Sequence, residues 1–418
     1  MSRTLTKKLA NVKPGTIYVG VDMGLENNVA VMLGERAEQL GRFRFPNERD
    51  GYDYFQCRIE RQREKQQAPA VLIGMEPTNY FWKLLATDLE QRGRAYRLVN
   101  PYTVKKHREG NQLDRSKDDP RDAFTIAELL RTGKYTETRL LRDGYAELRQ
   151  HAVLYDRLRR DIRRQKVLIH NVAGQLFPEL TSVFKDFAGA TASAMLRQHA
   201  AAAVVRQMSL ETFIAAVRND FQGRRLQVSK LRSAHRRATR SVGVTDGVQG
   251  LQLALRLHIE TWERLEHQLK EVHTALVDTF LTLPESRYLL SLHGLGITTA
   301  AIILAEIGDP SHYRNGQQLI KLAGTQPVPN TSGRKSRSKT PMSHKGRPRL
   351  RTALFFAVLR LVQVDDSFAR EYLLFQGRQN NPLTKMQALG ALMNKLLRIL
   401  WALMRHQRLY DPAFQPPV

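Results

Sequence analysis

The chain has 418 residues, with 66 Lys and Arg against 40 Asp and Glu, a formal charge of +26. Its hydrophobic and charged fractions, 42% and 25%, are those of a globular protein and exclude a disordered one, and its single cysteine, Cys57, excludes an intrachain disulfide or a cysteine-built zinc site. So large a positive excess, with a pI near 10.4, attracts polyanions over long range, is not needed for a small neutral metabolite, and points to nucleic acid.

The N-terminus is basic but has no apolar core behind its charges, so no secretory signal is expected. From there to about residue 135 the pattern alternates strands and helices. Ile17–Asp22, Val29–Leu33 and Leu40–Phe45 are apolar runs at hairpin spacing, separated by Gly-containing turns. A helix fits 51–65, a strand Ala70–Glu76, a helix Tyr80–Gln91 with Gly93 as its stop, and a strand Ala95–Asn100 closed by Pro101. Pro120–Arg131 starts a helix with proline near its first position. Three meandering strands followed by strand–helix alternation fit an α/β mixed sheet of the RNase H-like kind.

Residues 140–284 read as helical. Leu148, Tyr155, Leu158, Ile162, Ile169, Val172 and Leu176, then Leu255, Trp262, Leu265, Leu269, Val272 and Leu276, recur at near-heptad spacing. The pair suits an antiparallel hairpin, a dimerising coiled coil or two helices of a bundle. Between them lies an insert whose stretch 223–240 holds seven Arg and Lys and no acid. Arg224, Arg225, Lys230, Arg232, Arg236 and Arg237 are its candidate phosphate contacts, against the plainer reading of a solvated helix face. From 285 a third, mostly helical unit begins. Tyr288–Gly308 carries His293, Glu306 and two threonines, too polar for a membrane span. It reads as helix, Gly294/Gly296 turn, helix, a helix-hairpin-helix-like element whose amides suit a phosphate. A polar loop follows over Thr325–Pro348, then helices over Arg351–Arg360 and Thr384–Arg405. A cytoplasmic protein with no membrane partner is expected.

Acids sit at telling places. Asp22 ends the first strand, Glu76 ends the strand Ala70–Glu76, and Asp118, Asp119 and Asp122 open the helix at Pro120. Buried strands deliver their C-terminal side chains to a common edge, and residues three or four apart share a helix face. Carboxylates gathered there repel unless cations neutralise them, and hard oxygen ligands select Mg²⁺ or Mn²⁺. Singly, each acid could be a turn or helix cap, and spacing does not choose between Asp118 and Asp119.

In the polar loop, Ser332 precedes a glycine and a run of cations. Arg334 to Arg351 holds eight Lys and Arg and no acid: Arg334, Lys335, Arg337, Lys339, Lys345, Arg347, Arg349 and Arg351. Such cations suit a nucleic-acid backbone and lower the cost of a serine alkoxide attacking a phosphate. Thr331, Ser336, Ser338 and Ser343 are rival hydroxyls, and His344 is the nearby base candidate.

The succession YVGVDMG, GMEPTNYFW, LVNPYTVKKHRE, KDDPRDAFTIAELL, LHGLGITTAAIILAEIGD, KLAGTQPVPNTSG and KGRPRLRTALFFA resembles the insertion-sequence one-ten family of DEDD transposases through most of the chain. The resemblance implies a RuvC-like (RNase H-fold) domain over 1–138, a helical coiled-coil region over 139–284 with its basic insert at about 178–250, and a C-terminal transposase domain over 285–418. It makes Asp22, Glu76, Asp119 and Asp122 the metal-binding tetrad and Ser332 the nucleophile, and it favours Asp119 over Asp118. It implies recombination of donor and target DNA through a phosphoserine link at a composite metal and serine site. It further implies guidance by an element-encoded noncoding RNA and a homo-oligomer, dimer or tetramer. The insert is longer than the family's compact linker. The rival readings are a RuvC-like nuclease using water and a non-catalytic architectural nucleic-acid-binding protein.

Overall fold

The computed structural model describes residues 12–78, 80–111, 119–136, 140–221, 225–328, 331–332, 335–336 and 341–412. They fall into two compact units, Met1–Leu140 and Leu141–Val418. The stretches expected as 139–284 and 285–418 thus lie almost wholly in the second unit.

The first unit is built on a five-stranded sheet in the order β3-β2-β1-β4-β5. β1 (Ile17–Asp22), β2 (Asn27–Leu33) and β3 (Gln39–Pro46) meander antiparallel. After α1 (Arg49–Lys65), β4 (Val71–Met75) pairs parallel with the free side of β1. α2 (Phe81–Gln91) then leads to β5 (Tyr96–Leu98), parallel to β4. α3 (Pro101–Asn111) and α4 (Asp119–Arg131) complete the unit. The helix α3 was not expected from the sequence: Pro101 does close the strand region, but it also opens a helix, where its missing N–H costs nothing.

β1 is buried on both sides, which is why it reads as an unbroken apolar run rather than an alternation. Its odd residues Ile17, Val19 and Val21 join Ile73, Met75, Phe55, Ile59, Leu85 and Leu89 in one core. Tyr18 joins Leu72 and the α4 residues Ala123, Ile126, Ala127 and Leu130 in the other. Gly20 makes that second layer possible: a Cβ there would lie 2.1 Å from the Ala123 carbonyl oxygen and 2.4 Å from the Ala127 nitrogen. The backbone of α4 therefore rests directly on β1.

In the second unit α5 (Asp143–Leu176) is followed by α6 (Ala190–Gln198), α7 (Ala202–Val205), α8 (Leu210–Asn219) and α9 (Val228–Ala238), and then by α10 (Val248–Thr282). α5 and α10 form an antiparallel pair within one chain. Tyr145 donates to Glu285 (2.8 Å), His151 meets Thr279 (3.2 Å) and Gln165 meets His258 (3.0 Å). The insert packs on the tip of this hairpin with a core of its own, centred on Phe177, Phe184, Met195, Phe213 and Leu231. The other end of the hairpin packs with α11 (Ser286–Leu290), α12 (Ile297–Ile307) and α13 (Gly316–Ala323). The short ladder of β6 (Thr331–Ser332) and β7 (Lys335–Ser336) precedes α14 (Pro348–Val364), α15 (Asp366–Gly377) and α16 (Lys385–His406), whose apolar faces close the largest core. Gly294 makes the expected turn before α12 at φ +94°. Among the described residues no helix is long and apolar enough to cross a membrane.

Candidate active site

Sheet register brings the first two acids together. Val21 is paired with Met75 across the parallel β1–β4 ladder. Asp22 and Glu76, each one residue further on, therefore leave the sheet side by side, about one strand spacing of 4.8 Å apart. Asp22 shares its face of β1 with Gly20, the face that α4 covers. Arg131, at the far end of α4, acts electrostatically on Tyr18 near the start of β1, while Ala123 touches Gly20. α4 thus runs against the direction of β1, and its first turn, carrying Asp119 and Asp122, lies at the Asp22 end. Asp122 is buried and Asp119 exposed. Asp118 lies outside the described residues.

A hydrogen-bonded turn supports this edge. The Tyr52 hydroxyl donates to Asn47 Oδ1 (3.1 Å), which also accepts from buried Asn28 Nδ2 (2.7 Å). Asn47 Nδ2 donates to the Gly24 carbonyl (2.7 Å), and the Gly24 amide donates to Asn28 Oδ1 (3.2 Å). The chain leaving Asp22 is thereby tied to α1 and β2. Burial, and then the Asp88 charge, push the Tyr52 hydroxyl up to about 12.

Four carboxylates are the right donor chemistry for a hard divalent cation. Among the described residues, however, no three Asp, Glu, His or Cys side chains are gathered closely enough to hold an ion. Asp22 and Glu76 share one end of the sheet, with Asp119 and Asp122 on the helix turn beside it.

Ser332 lies not in a plain polar loop but in a hairpin. β6 and β7 pair with Ser332 opposite Lys335 and Thr331 opposite Ser336. Below them, the Val328 amide donates to the Pro341 carbonyl and the Ser343 amide to Gln326, each at 2.9 Å. At the root Gly324, at φ +69°, crosses Gly346 so closely that a Cβ on Gly324 would lie 2.7 Å from the Gly346 nitrogen. Thr325, buried there, donates to Asn394 Oδ1 (2.6 Å), and Arg351 donates to the Ala323 carbonyl (2.8 Å). His344 belongs to this root, where its amide donates to the Gly324 carbonyl (2.9 Å).

The basic candidates divide. Arg224, Arg334, Arg337 and Lys339 lie outside the described residues. Arg225, Arg232, Arg236, Arg237 and Lys345 are exposed. Leu231, Ala234 and Ala238 turn the opposite face of α9 into the insert core. Lys230 lies 5.5 Å from the Phe184 ring. Arg347, Arg349 and Arg351 have protein partners. Glu306, only 1% exposed, forms ion pairs with Arg149 (3.2 Å), Arg349 (3.6 Å) and Arg347 (3.9 Å). Arg349 also faces Asp156 at 3.7 Å. Burial and then the Arg347 charge lower the Arg149 pKa. The cation run holds no acid in sequence because the acid arrives from α12. Glu306, Arg149 and Asn394 escape sequence reasoning for that reason: each stands far along the chain from the group it holds.

Residues 19–178 match a family profile described as transposase, of the DEDD type. Residues 286–373 match the profile described as transposase IS116/IS110/IS902 family. The chain is 26% identical to an uncharacterised 44.8 kDa protein of insertion element IS116 from Streptomyces clavuligerus, over 96% of this chain and 97% of that protein. It is 24% identical to a mini-circle putative transposase for IS117 from Streptomyces coelicolor, over 77% and 78% of the two chains. It is 32% identical to a pilin gene-inverting protein of Moraxella lacunata, over 31% of this chain and 40% of that one.

Proposed function

The chain belongs to the IS116/IS110/IS902 transposase family and is a DNA recombinase or transposase; we propose that it cuts and rejoins donor and target DNA through a covalent phosphoserine. The observation that carries this reading is the side-by-side exit of Asp22 and Glu76 from paired parallel strands, with the first turn of α4 on the same face. Three antiparallel strands followed by two parallel ones, in the order β3-β2-β1-β4-β5, support an RNase H-fold of RuvC-like type over 1–138.

Asp22, Glu76, Asp119 and Asp122 would hold Mg²⁺ or Mn²⁺. Bound there, the metal supplies neutralising charge and polarisation of the scissile phosphate. The Ser332 oxygen forms a bond to phosphorus, the bond from phosphorus to one strand oxygen breaks, and that oxygen leaves as a hydroxyl carrying the proton the serine gave up. A strand hydroxyl then attacks the phosphoserine, restoring a phosphodiester and the free serine. The phosphodiester energy is conserved, so no high-energy cofactor is required. Lys335 is opposite Ser332 in the hairpin register, and positive charge is the chemistry an attacked phosphate calls for.

An element-encoded noncoding RNA selects sequence by base pairing, and the positive charge serves both backbones. The exposed arginines of the insert extend that contact. Exchange of strands needs at least two such sites, so the working form is a dimer or tetramer. Leu154, Val167, Leu253 and Leu257, exposed on α5 and α10, support assembly through that helical region, 139–284, beside the transposase segment 285–418.

The test is incubation with Mg²⁺, element-end DNA and element-derived RNA, followed by denaturation and a search for a protein–DNA adduct. Wild type forms one, and Ser332→Ala and Asp22→Ala both abolish it. Metal-dependent nicking that survives Ser332→Ala without an adduct would replace this mechanism with a water-using nuclease.

A further inference from the structure

The edge strand β3 carries two arginines that the recombination chemistry above does not use. Its sequence Gln-Leu-Gly-Arg-Phe-Arg-Phe-Pro alternates: Phe43 and Phe45 are buried in the core shared with α1, and Arg42 and Arg44 are exposed on the other face. Cross-strand register fixes where that face looks. Asp22 pairs with Val29 on β2, and Val29 pairs with Arg44 on β3, while Val31 pairs with Arg42. Paired residues of neighbouring strands point to the same side of a sheet. Arg44, Val29 and Asp22 therefore form one lateral row on the α4 side, and Glu76 extends it beyond Asp22.

α4 packs over β1, β2 and β4. Beside its first turn an open cavity of about 240 Å³ remains, lined by Val29, Arg42, Phe43, Arg44 and Pro120. Among the described residues, neither the Arg42 nor the Arg44 side chain forms an ion pair or hydrogen bond, whereas Arg49, Arg92, Arg94 and Arg131 of the same unit are each engaged by an Asp or Glu side chain. Two unneutralised guanidiniums in a groove are a site for an anion with several acceptor oxygens. The backbone of Arg44 stands two strand spacings, about 10 Å, from that of Asp22. That span equals about three rises of a duplex DNA strand.

We propose that Arg42 and Arg44 form a DNA backbone site, holding phosphates of the cleaved strand a few nucleotides from the scissile one. The row then has two jobs along its length: acids at one end where the cut is made, cations at the other where the strand is gripped. The proposal rests on the reading of the acidic edge as the cutting site, and its test is a binding measurement that does not require cutting.

The affinity of the full chain for a fluorescently labelled DNA duplex of random sequence is measured across a salt series. At about 0.9 per phosphate contact, R42A/R44A should lower the slope of log affinity against log salt by about 1.8. R42K/R44K, which keeps the charge, should restore it. A folded R42A/R44A protein with the wild-type slope overturns the proposal. So does an R42K/R44K protein that loses as much as the alanine pair, because charge would not be what was lost. A slope that falls with duplex RNA but not with DNA also overturns it, assigning the groove to RNA. Placement beside the cut is read with element-end DNA carrying an uncharged methylphosphonate at single positions near the cleaved phosphate. The proposal expects one such position to weaken wild type and leave R42A/R44A unaffected; none doing so overturns the placement. Failure of the acidic-edge reading appears separately, as cleavage that persists in Asp22→Ala.

Discussion

The acidic edge and the serine hairpin, to which the proposed reaction assigns complementary roles, are held in different ways. Asp22 and Glu76 are fixed by the ladder between two central strands packed on both faces, and a hydrogen-bonded turn ties down the chain after Asp22. Ser332 stands on an arm secured at its root, by the Gly324–Gly346 crossing and the Thr325–Asn394 bond. Rigidity in the first region comes from strand register and packing. In the second it comes from a few polar clamps on a helical frame, and single substitutions distant from Ser332 can loosen it.

Removing chemistry should have the largest effect. Asp22→Ala is expected to lower DNA cleavage by about 10⁴-fold, about 5 kcal/mol of barrier, with DNA affinity at fixed salt little changed. Single-turnover cleavage beside a binding titration reads both. Equal loss of affinity would show that the edge serves to hold DNA rather than to cut it.

The next effect falls on the frame that carries the hairpin. Glu306→Ala leaves Arg149, Arg347 and Arg349 without their shared carboxylate. Breaking a buried ion pair by removing one partner costs about 3–5 kcal/mol. Urea unfolding followed through Trp401, which packs on this core, should register the loss, while Trp82 in the first unit should not. Gly20→Ala is the converse experiment. Its Cβ would meet helix backbone, and backbone yields less than a side chain, so a loss near the upper end of the usual overpacking range, about 3 kcal/mol, is expected. It should appear at Trp82 and not at Trp401.

Asn394→Ala tests the hairpin root. It removes the nearer acceptor of the buried Thr325 hydroxyl and leaves only the Ile320 carbonyl at 3.4 Å, at a cost of about 1 kcal/mol. Adduct formation should slow while cation-dependent DNA binding stays, and a Thr325→Val, Asn394→Leu pair should recover stability more than adduct rate. The smallest effect is alkaline. Tyr52 titrates at about 12 in the fold, above its ordinary value of 10.0. The folded state therefore keeps its proton longer than the unfolded one. The stability this gives is complete below pH 10.0 and is lost as pH rises toward about 12. About 1 kcal/mol should be gone at about pH 11, and Tyr52→Phe should flatten that part of the profile.

Local pattern was enough for much of this. The apolar run ending in Asp22, the strand ending before Glu76 and the proline-started helix with Asp119 and Asp122 are legible because burial and capping act on neighbours in sequence. The α5–α10 hairpin is legible in its apolar spacing, although spacing alone leaves open whether the partner helix lies in the same chain. The helix at Pro101 and the helix Asp366–Gly377 are not legible in the local pattern, the first because proline serves equally as a strand stop and a helix start.

Sequence by itself determined the composition of the working parts: a +26 charge suited to polyanions, acids at strand and helix ends, and a serine beside cations. Tertiary structure decided which of those parts meet. Strand register, a property of two segments at once, set Asp22 beside Glu76 and aligned Arg44 with them through Val29. Glu306, buried on α12, draws to its carboxylate two arginines of the locally acid-free run, Arg347 and Arg349, together with Arg149 of α5. A charge pays its desolvation wherever the fold encloses it, so its partner is chosen by proximity in space and leaves no mark in the sequence nearby.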